Sequence, residues 1–189
     1  MGEQRTIVLC LGNPGAAYAK TRHNAGFFVA DCLASSLGIR FRRPWFASYS
    51  LAEYQSLVLV KPLTYMNRSG DVLSSVCRKL GIQGYTLLVV FDQMDLPPGS
   101  VRLKRGGGDG GHRGLRSVFA QAKTDSVWKL AIGIGRPASG VSVVDHVLSV
   151  PDPESEEQIQ SAVTAASNVV RRLCTRTPEE LMNEVNRRS

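Results

Sequence analysis

The most strongly apolar run of the chain, Thr86–Phe91, constrains the fold more than any other stretch. A continuous apolar run of this length, followed by turn-forming residues, is typical of a strand buried on both faces of a sheet. Thr6–Leu11 has the same character, and apolar residues at helical spacing lie between such runs. Strands that alternate with helices predict an α/β fold, in which residues 1–189 form a single globular domain around a largely parallel or mixed sheet.

Residues that typically begin or end helices and strands divide the remainder of the chain into further elements. A helix is expected between His23 and Gly38, because apolar residues recur on one face and glycine commonly ends a helix. A second helix is expected at residues 72–80, with Asp71 in its first turn and Gly81 just past its end. Other strands are expected at 47–54, 56–61, 101–105 and 128–134, and other helices from 115, at 141–148, after Asp152–Pro153 and after Thr177.

Charge and cysteine content narrow the classes of partner and compartment. The chain has 23 basic and 16 acidic residues, a formal net charge of +7, which favours a polyanionic partner. Its 4 cysteines form no CxxC pair, so they indicate neither a zinc site nor a redox motif and are typical of a reducing compartment. No apolar run reaches the roughly 20 residues needed to cross a bilayer. We therefore expect a cytoplasmic protein with no membrane partner.

Polar side chains follow three of the predicted strands at the points where the strands end. Asn13 and His23 follow the first strand, Asn67 follows the third and Asp92 follows the fourth. Ligands of α/β proteins usually bind at the carboxyl ends of strands. A histidine base, a carboxylate that orients it and amide donors for a carbonyl oxygen would together support general-base catalysis at that edge.

Each of these residues also has a structural interpretation. A loop histidine such as His23 can simply hydrogen-bond to a backbone carbonyl group. Asn67 can cap the helix that follows it, and Asp92 can form the turn before Pro97 and Pro98. The residues alone leave both interpretations open.

Motifs for several other chemistries are absent from the sequence. The segment Gly106–Gly114 lacks the lysine of a P-loop, and it is too rich in glycine to hold one conformation without a packed or bound partner. No GxSxG nucleophile elbow is present, and His23, His112 and His146 lack metal-ligand spacing. We therefore expect no metal ion, and His146 is assigned to structure.

A small basic cluster follows the first predicted helix. Arg40, Arg42 and Arg43 stand next to Phe41 and Trp45. Clusters of this kind usually belong to a solvated loop. The sequence assigns no function to this one.

Four segments resemble the bacterial-type peptidyl-tRNA hydrolase family in order and spacing. They are LGNPGAAYAKTRHNAGF, KPLTYMNRSG, DQMDLPPGSVRLKRGGGDGGHRGLRS and GIGRP. The resemblance covers nearly the whole chain and implies a twisted mixed sheet flanked by helices, in a protein that is usually a monomer. It also implies cleavage of the ester that joins a peptide to the terminal ribose of tRNA. Peptidyl-tRNA is then the partner, and no metal or organic cofactor is implied.

The resemblance assigns catalytic roles to the residues at the strand ends. His23 becomes the general base that activates water, and Asp92 holds its imidazole in one tautomer and stabilises the protonated form. Asn13 and Asn67 contact the peptide or the ester carbonyl, and Asn13 helps to distinguish a blocked from a free α-amino group. A covalent nucleophile is not required, because a sugar hydroxyl is a better leaving group than an amide nitrogen.

The resemblance also implies a surface that binds RNA. Tyr18 and Tyr65 match aromatic positions that bind the tRNA end, where a ring can stack on a base. Arg102 and Lys104 match positions that hold tRNA phosphate. Contacts to phosphate make binding strongly dependent on salt, because bound counterions are released.

Two positions depart from the pattern of the family. Arg113 stands where an asparagine is common, and a guanidinium group donates hydrogen bonds but cannot accept one. Arg113 can hold a phosphate or the ester oxygen, or it can be a solvated residue at the start of a helix. Ala131 stands where a basic residue is frequent, and Lys129 can compensate for it.

Two other functions compete with this one. The first is a non-catalytic RNA-binding member of the same fold, similar to an organellar splicing cofactor. The joint presence of His23, Asp92, Asn13 and Asn67 argues against it, because a binding module needs no base. The second, a hydrolase of small peptides or amides, is disfavoured by the positive charge and by the lack of a nucleophile motif.

Overall fold

The fold is built on a six-stranded sheet with the spatial order β2-β3-β1-β4-β6-β5. The structure is a computed structural model that describes residues 5–122 and 127–187. Along the chain the strands are β1 (Arg5–Cys10), β2 (Tyr49–Tyr54), β3 (Leu57–Pro62), β4 (Tyr85–Gln93), β5 (Val101–Arg105) and β6 (Val127–Gly133). β1 pairs in parallel with β3 and β4, and β4 pairs in parallel with β6, whereas β2 and β5 are antiparallel edge strands. The prediction of a mixed, largely parallel sheet is confirmed.

Helices connect the strands and complete the chain. The α-helices in the described residues are α1 (Ala25–Leu37), α2 (Leu73–Leu80), α3 (Arg113–Gln121), α4 (Val143–Val147), α5 (Pro153–Arg172) and α6 (Pro178–Arg187). Gly38 ends α1 in the left-handed conformation, and the Asp152 side chain accepts the N–H of Ser155 at the start of α5, as predicted. None of these helices combines the length and the apolar character needed to span a membrane.

The sheet separates two hydrophobic cores, because successive side chains of a strand point to opposite faces. In β1, Val8 and Cys10 pack into the core that α1, α5 and α6 cover. Ile7 and Leu9 point the other way, into the core covered by α2 and α3. The continuous apolar runs of the sequence are therefore strands buried on both faces, as predicted.

One helix begins later than the sequence predicts. Residues Met66–Val72 form a 3-10 segment, so Asp71 precedes α2 instead of lying in its first turn, and its carboxylate pairs with Arg68. The physical reason lies in α3, against which this segment packs closely. The N–H of Gly70 donates to Oγ of Ser117 across 2.9 Å, and this contact holds the segment in its tighter turns.

The sheet order creates a crevice between β1 and β4. The chain leaves β1 toward β3 on one side and returns to β4 on the other, so the connections diverge at this point. In open α/β sheets such a switch point is the usual place for a ligand, at the carboxyl ends of the strands. Asn13 and His23 follow β1, Asn67 follows β3 and Asp92 lies in the last residues of β4, all at this edge.

Candidate active site

His23 reaches the crevice on a short 3-10 turn, Arg22–Asn24. Its neighbours Arg22 and Asn24 are both buried, and this leaves the His23 side chain directed toward the edge of the sheet. The Arg22 guanidinium donates to Oγ of Ser149 at 2.6 Å and to the carbonyl oxygen of Val150 at 3.1 Å. The turn is thereby tied to the segment between α4 and α5.

Asp92 is the partner of His23. Its side chain is buried within the last residues of β4, and Oδ1 lies 2.8 Å from Nδ1 of His23. A carboxylate only accepts hydrogen bonds, so Nδ1 of His23 is the donor and Nε2 keeps its lone pair. Burial alone would raise the pKa of Asp92, but His23 and His112 lower it overall to well below its usual range. The interpretation of Asp92 as a turn residue is wrong.

His112 is a second partner of Asp92, and it was not among the residues selected from the sequence. Its Nε2 lies 3.0 Å from the same Oδ1. Its Nδ1 accepts the backbone N–H groups of Gly114 and Leu115 at 3.1 and 3.2 Å, so Nδ1 carries no proton. Nε2 must then carry it and donate to Asp92, which fixes the tautomer of His112.

A local signal for His112 exists in the sequence. It stands directly before α3 and caps the first turn of that helix with its ring nitrogen, where serine, threonine or aspartate is the usual residue. Unlike a standard cap, a histidine has a second ring nitrogen, which can hydrogen-bond to another group. Only the fold shows that this partner is Asp92, which lies 20 positions earlier in the chain.

His23, Asp92 and His112 also offer three ligand atoms within 4.8 Å of one another, as a metal site would. Their hydrogen bonds do not favour that use. For Nε2 of His112 to bind an ion, its proton would have to move to Nδ1, and both backbone N–H groups at the start of α3 would lose their acceptor. The arrangement suits proton transfer better than metal binding.

Asn13 is held by three hydrogen bonds, one of which orients its side-chain amide. Its backbone N–H donates to Oδ1 of Asn24 at 2.8 Å, and Nδ2 of Asn24 donates to its carbonyl oxygen at 3.1 Å. The backbone N–H of Met66 donates to Oδ1 of Asn13 at 2.8 Å. Because an N–H group can only donate, the atom that faces Met66 must be the oxygen. Nδ2 is left to donate into the cavity that Asn13 lines.

These groups open into a cavity of about 270 Å³. One wall is polar and the other is the apolar face of α4. The lining residues are Asn13, His23, Tyr65, Met66, Asn67, Asp92, Gln93, Met94, Gly110, Gly111, His112, Arg113, Val143, Val144, Val147 and Leu148. The cavity thus places a base and amide donors beside an apolar surface that an acyl chain can contact.

Tyr65, Asn67 and Arg113 form the exposed rim of this cavity. Neither Asn67 nor Arg113 has a side-chain hydrogen-bond partner in the part of the chain that the structure describes. The residue at the cap position of α2 is Val72, with no side-chain cap, so the interpretation of Asn67 as its cap is wrong. Tyr18 is half-buried in the 3-10 turn Ala16–Tyr18 and does not line the cavity.

Arg102 and Lys104 line a neighbouring cleft beneath the glycine-rich segment. Both are exposed on β5, where Lys104 pairs in register with Lys129 of β6. The Lys129 side chain is buried, and its Nζ donates to the carbonyl oxygen of Gly108 at 2.9 Å. Burial lowers the pKa of Lys129, and the charge of Lys104 lowers it further. Lys129 therefore supplies the packed partner that the glycine-rich segment requires.

Comparisons with known proteins identify relatives in sequence and in fold. The family model described as Peptidyl-tRNA hydrolase matches residues 7–189. A protein of that name from Moorella thermoacetica is 44% identical over 184 residues, which are 95% of this chain and 97% of that protein. Another from Dichelobacter nodosus is 38% identical over 181 residues, 94% of this chain and 96% of its own. A crystal structure of peptidyl-tRNA hydrolase from Acinetobacter baumannii superposes with a TM-score of 0.87 at 33% identity, covering 98% of this chain and 97% of that one.

Proposed function

The chain belongs to the peptidyl-tRNA hydrolase family, and from this we propose that it hydrolyses the ester between a peptide, or an N-blocked aminoacyl group, and the 3′-terminal ribose of tRNA. Such a reaction recycles tRNA from peptidyl-tRNA released too early. The observation that carries the proposal is the free Nε2 lone pair of His23, whose opposite nitrogen is bound to the buried carboxylate of Asp92.

His23 acts as the general base in the proposed reaction. A water molecule in the cavity gives a proton to Nε2 as its oxygen attacks the ester carbonyl carbon, and Asp92 stabilises the imidazolium that forms. The tetrahedral intermediate collapses when the bond to the ribose oxygen breaks. That oxygen takes the proton back from His23, so free carboxylic acid and free tRNA hydroxyl leave the site.

Amide donors stabilise the charge on the carbonyl oxygen. Nδ2 of Asn13 is oriented toward the cavity because Oδ1 is bound to Met66. Asn67 contacts the peptide backbone from the rim, and Asn13 contributes to the distinction between a blocked and a free α-amino group. The Arg113 guanidinium can only donate hydrogen bonds, and it holds a phosphate or the ester oxygen.

The RNA part of the substrate lies across the exposed edge. Tyr65 is 63% exposed at the rim and offers a ring to the tRNA end, and we assign the same role to Tyr18. Arg102 and Lys104 hold phosphate at the neighbouring cleft. The net charge of +7 supports a polyanionic substrate.

We propose further that residues 1–189 form one domain that acts as a monomer in the cytoplasm, where translation produces peptidyl-tRNA. No organic cofactor or metal ion takes part in the proposed steps. An RNA-binding module without catalysis gains no support from the site, since such a module has no use for a buried carboxylate that polarises a histidine.

The test is release of the acyl group from N-blocked aminoacyl-tRNA. The parent protein should hydrolyse this substrate and spare the free aminoacyl-tRNA. His23→Ala should lower the rate by about 10² to 10⁴, the usual contribution of a general base. His146→Ala is the control, because His146 binds the carbonyl oxygen of Gly135 and does not line the cavity. A His23→Ala protein as active as the parent would contradict the mechanism, and a parent that binds tRNA without hydrolysis would contradict the function.

A further inference from the structure

Two aromatic side chains project into solvent from the loop before β2. Trp45 is 91% exposed and Phe46 is 94% exposed. Their ring centroids are 6.0 Å apart and their planes differ by only 14°, so the two rings form a stacked pair. Keeping two large apolar rings in water is unfavourable, and contiguous exposed apolar surface commonly marks a binding site.

The loop holds this pair in place with a strained backbone. Phe46 has a φ of 59°, a left-handed conformation that a bulky residue rarely adopts. The N–H of Ala47 donates to the carbonyl oxygen of Pro44 at 3.0 Å, and Nε of Arg43 donates to the carbonyl oxygen of Ala47 at 2.9 Å. The exposed rings are thus the product of a closed, hydrogen-bonded turn.

Three arginines precede the stacked pair in the chain, and Arg42 pairs with Leu51 of β2. Arg40, Arg42 and Arg43 are exposed, and among the described residues none of them has a carboxylate within 4.0 Å. By contrast, Arg68 and Arg136 on other surface segments form ion pairs with aspartates. The patch formed by Arg40, Arg42, Arg43, Trp45 and Phe46, called here the aromatic-arginine patch, therefore has positive charge available for an anionic partner.

The aromatic end of the aromatic-arginine patch lies near the carboxyl end of β3, on the same side as the candidate active site. The backbone N–H of Leu63 donates to the carbonyl oxygen of Ser48 at 2.7 Å, which joins the loop to the chain just past β3. Two residues farther on is Tyr65, at the rim of the cavity. A segment of RNA that leaves the cavity past Tyr65 can therefore continue toward Trp45, beside β2, whereas Arg102 and Lys104 lie on β5 at the other side of the sheet.

We infer that unpaired bases of the substrate RNA stack on Trp45 and Phe46 while Arg40, Arg42 and Arg43 neutralise the flanking phosphates. Aromatic rings interleaved with cations are the recurring surface of proteins that bind single-stranded nucleic acid. A second copy of this chain fits less well, because its own patch carries the same positive charge. The inference rests on the proposed function, since the RNA is the tRNA part of that substrate.

Binding of deacylated tRNA tests the inference without requiring hydrolysis. The chain has 2 tryptophans, and Trp128 is buried, so acrylamide quenching of tryptophan fluorescence reports mainly on Trp45. We expect tRNA to protect Trp45 from quenching. Trp45→Ala with Phe46→Gly should raise the Kd for tRNA about tenfold, the effect of losing one stacked base. Glycine is chosen because it adopts the φ of Phe46 without strain.

A matched control removes equal charge at the opposite end of the molecule. Arg78→Ala with Lys79→Ala, in the last turn of α2, should leave the Kd within twofold, whereas Arg40→Ala with Arg42→Ala should weaken binding and reduce its salt dependence. An unchanged Kd for the aromatic double variant overturns the inference. The inference is also overturned if the parent self-associates, the aromatic double variant does not, and both bind tRNA equally well. If tRNA protects Trp45 of the parent from quenching but the parent hydrolyses no acylated tRNA, the proposed function fails and the inference stands.

Discussion

Nε2 of His112 donates to Oδ1 of Asp92 across 3.0 Å, at the oxygen that also accepts from His23. The two imidazoles therefore share one carboxylate oxygen, and their ring centroids lie 5.1 Å apart. Since His112 is fixed as a donor by its own role at the start of α3, the charge of Asp92 is divided between two N–H groups. The strength with which Asp92 holds the proton of His23 is then set in part by His112.

His112→Asn should change the pH dependence of hydrolysis. Asparagine still caps α3, because its oxygen can accept backbone N–H groups, but its side chain is too short to reach Asp92. With one donor removed, Asp92 holds the proton on His23 more firmly, so the acid limb of the kcat/KM profile should move to higher pH. We expect kcat to fall about tenfold, the effect of one lost hydrogen bond to a charged group. His146→Asn is the control, and a profile identical to the parent's in His112→Asn would contradict this role.

Asp92→Asn should remove part of the acid sensitivity of folding. The pKa of Asp92 is lowered in the folded state, so its ionised form stabilises the protein at pH values above the unfolded pKa. That contribution is lost as the pH falls below about 4, the pKa of an aspartate in an unfolded chain. Urea unfolding at neutral and acid pH should therefore show a smaller loss of stability in Asp92→Asn than in the parent. Equal losses of stability in both proteins would contradict a lowered pKa for Asp92 in the folded state.

The sequence predicted the sheet well because its strands are continuous apolar runs, and it predicted α5 from Asp152 and Pro153. It also identified His23, Asp92 and Asn13 as neighbours, since parallel strands bring their carboxyl ends to one edge. Two features could not be predicted. The late start of α2 depends on the contact of Gly70 with α3, and the role of His112 depends on the orientation of both ring nitrogens.

Asn13→Asp should separate the structural role of Oδ1 of Asn13 from the catalytic role of its Nδ2. An aspartate keeps an oxygen that accepts the N–H of Met66, so the local structure should persist. It has no Nδ2 donor for the carbonyl oxygen and adds a negative charge near the developing oxyanion. We expect kcat to fall by about 10² to 10³, the effect of losing one oxyanion donor. Circular dichroism should match the parent, and a kcat within twofold of the parent would exclude Asn13 as that donor.

Arg102→Ala with Lys104→Ala should raise KM for peptidyl-tRNA more than it lowers kcat. Both side chains are exposed on β5, outside the cavity that holds the base, so their loss should weaken binding and leave the chemical step intact. Each lost phosphate contact should reduce the slope of log KM against log salt by roughly 0.7 to 0.9. Arg78→Ala with Lys79→Ala is the control of equal charge. An unchanged KM and salt slope would show that the phosphates do not lie at this cleft.

Gly70→Ala should destabilise the fold and also disturb the active site. A Cβ at this position would clash with the backbone carbonyl oxygen of Ser117, so the 3-10 segment must move away from α3. Overpacking of this kind costs about 1 to 3 kcal/mol of unfolding free energy. Because the same segment carries Met66 and Asn67, its displacement should also lower kcat. Gly84→Ala is the matched control, since a Cβ there meets no atom within 4 Å. If chemical denaturation gave equal stabilities for Gly70→Ala and Gly84→Ala, the close approach of α3 would not be what positions this segment.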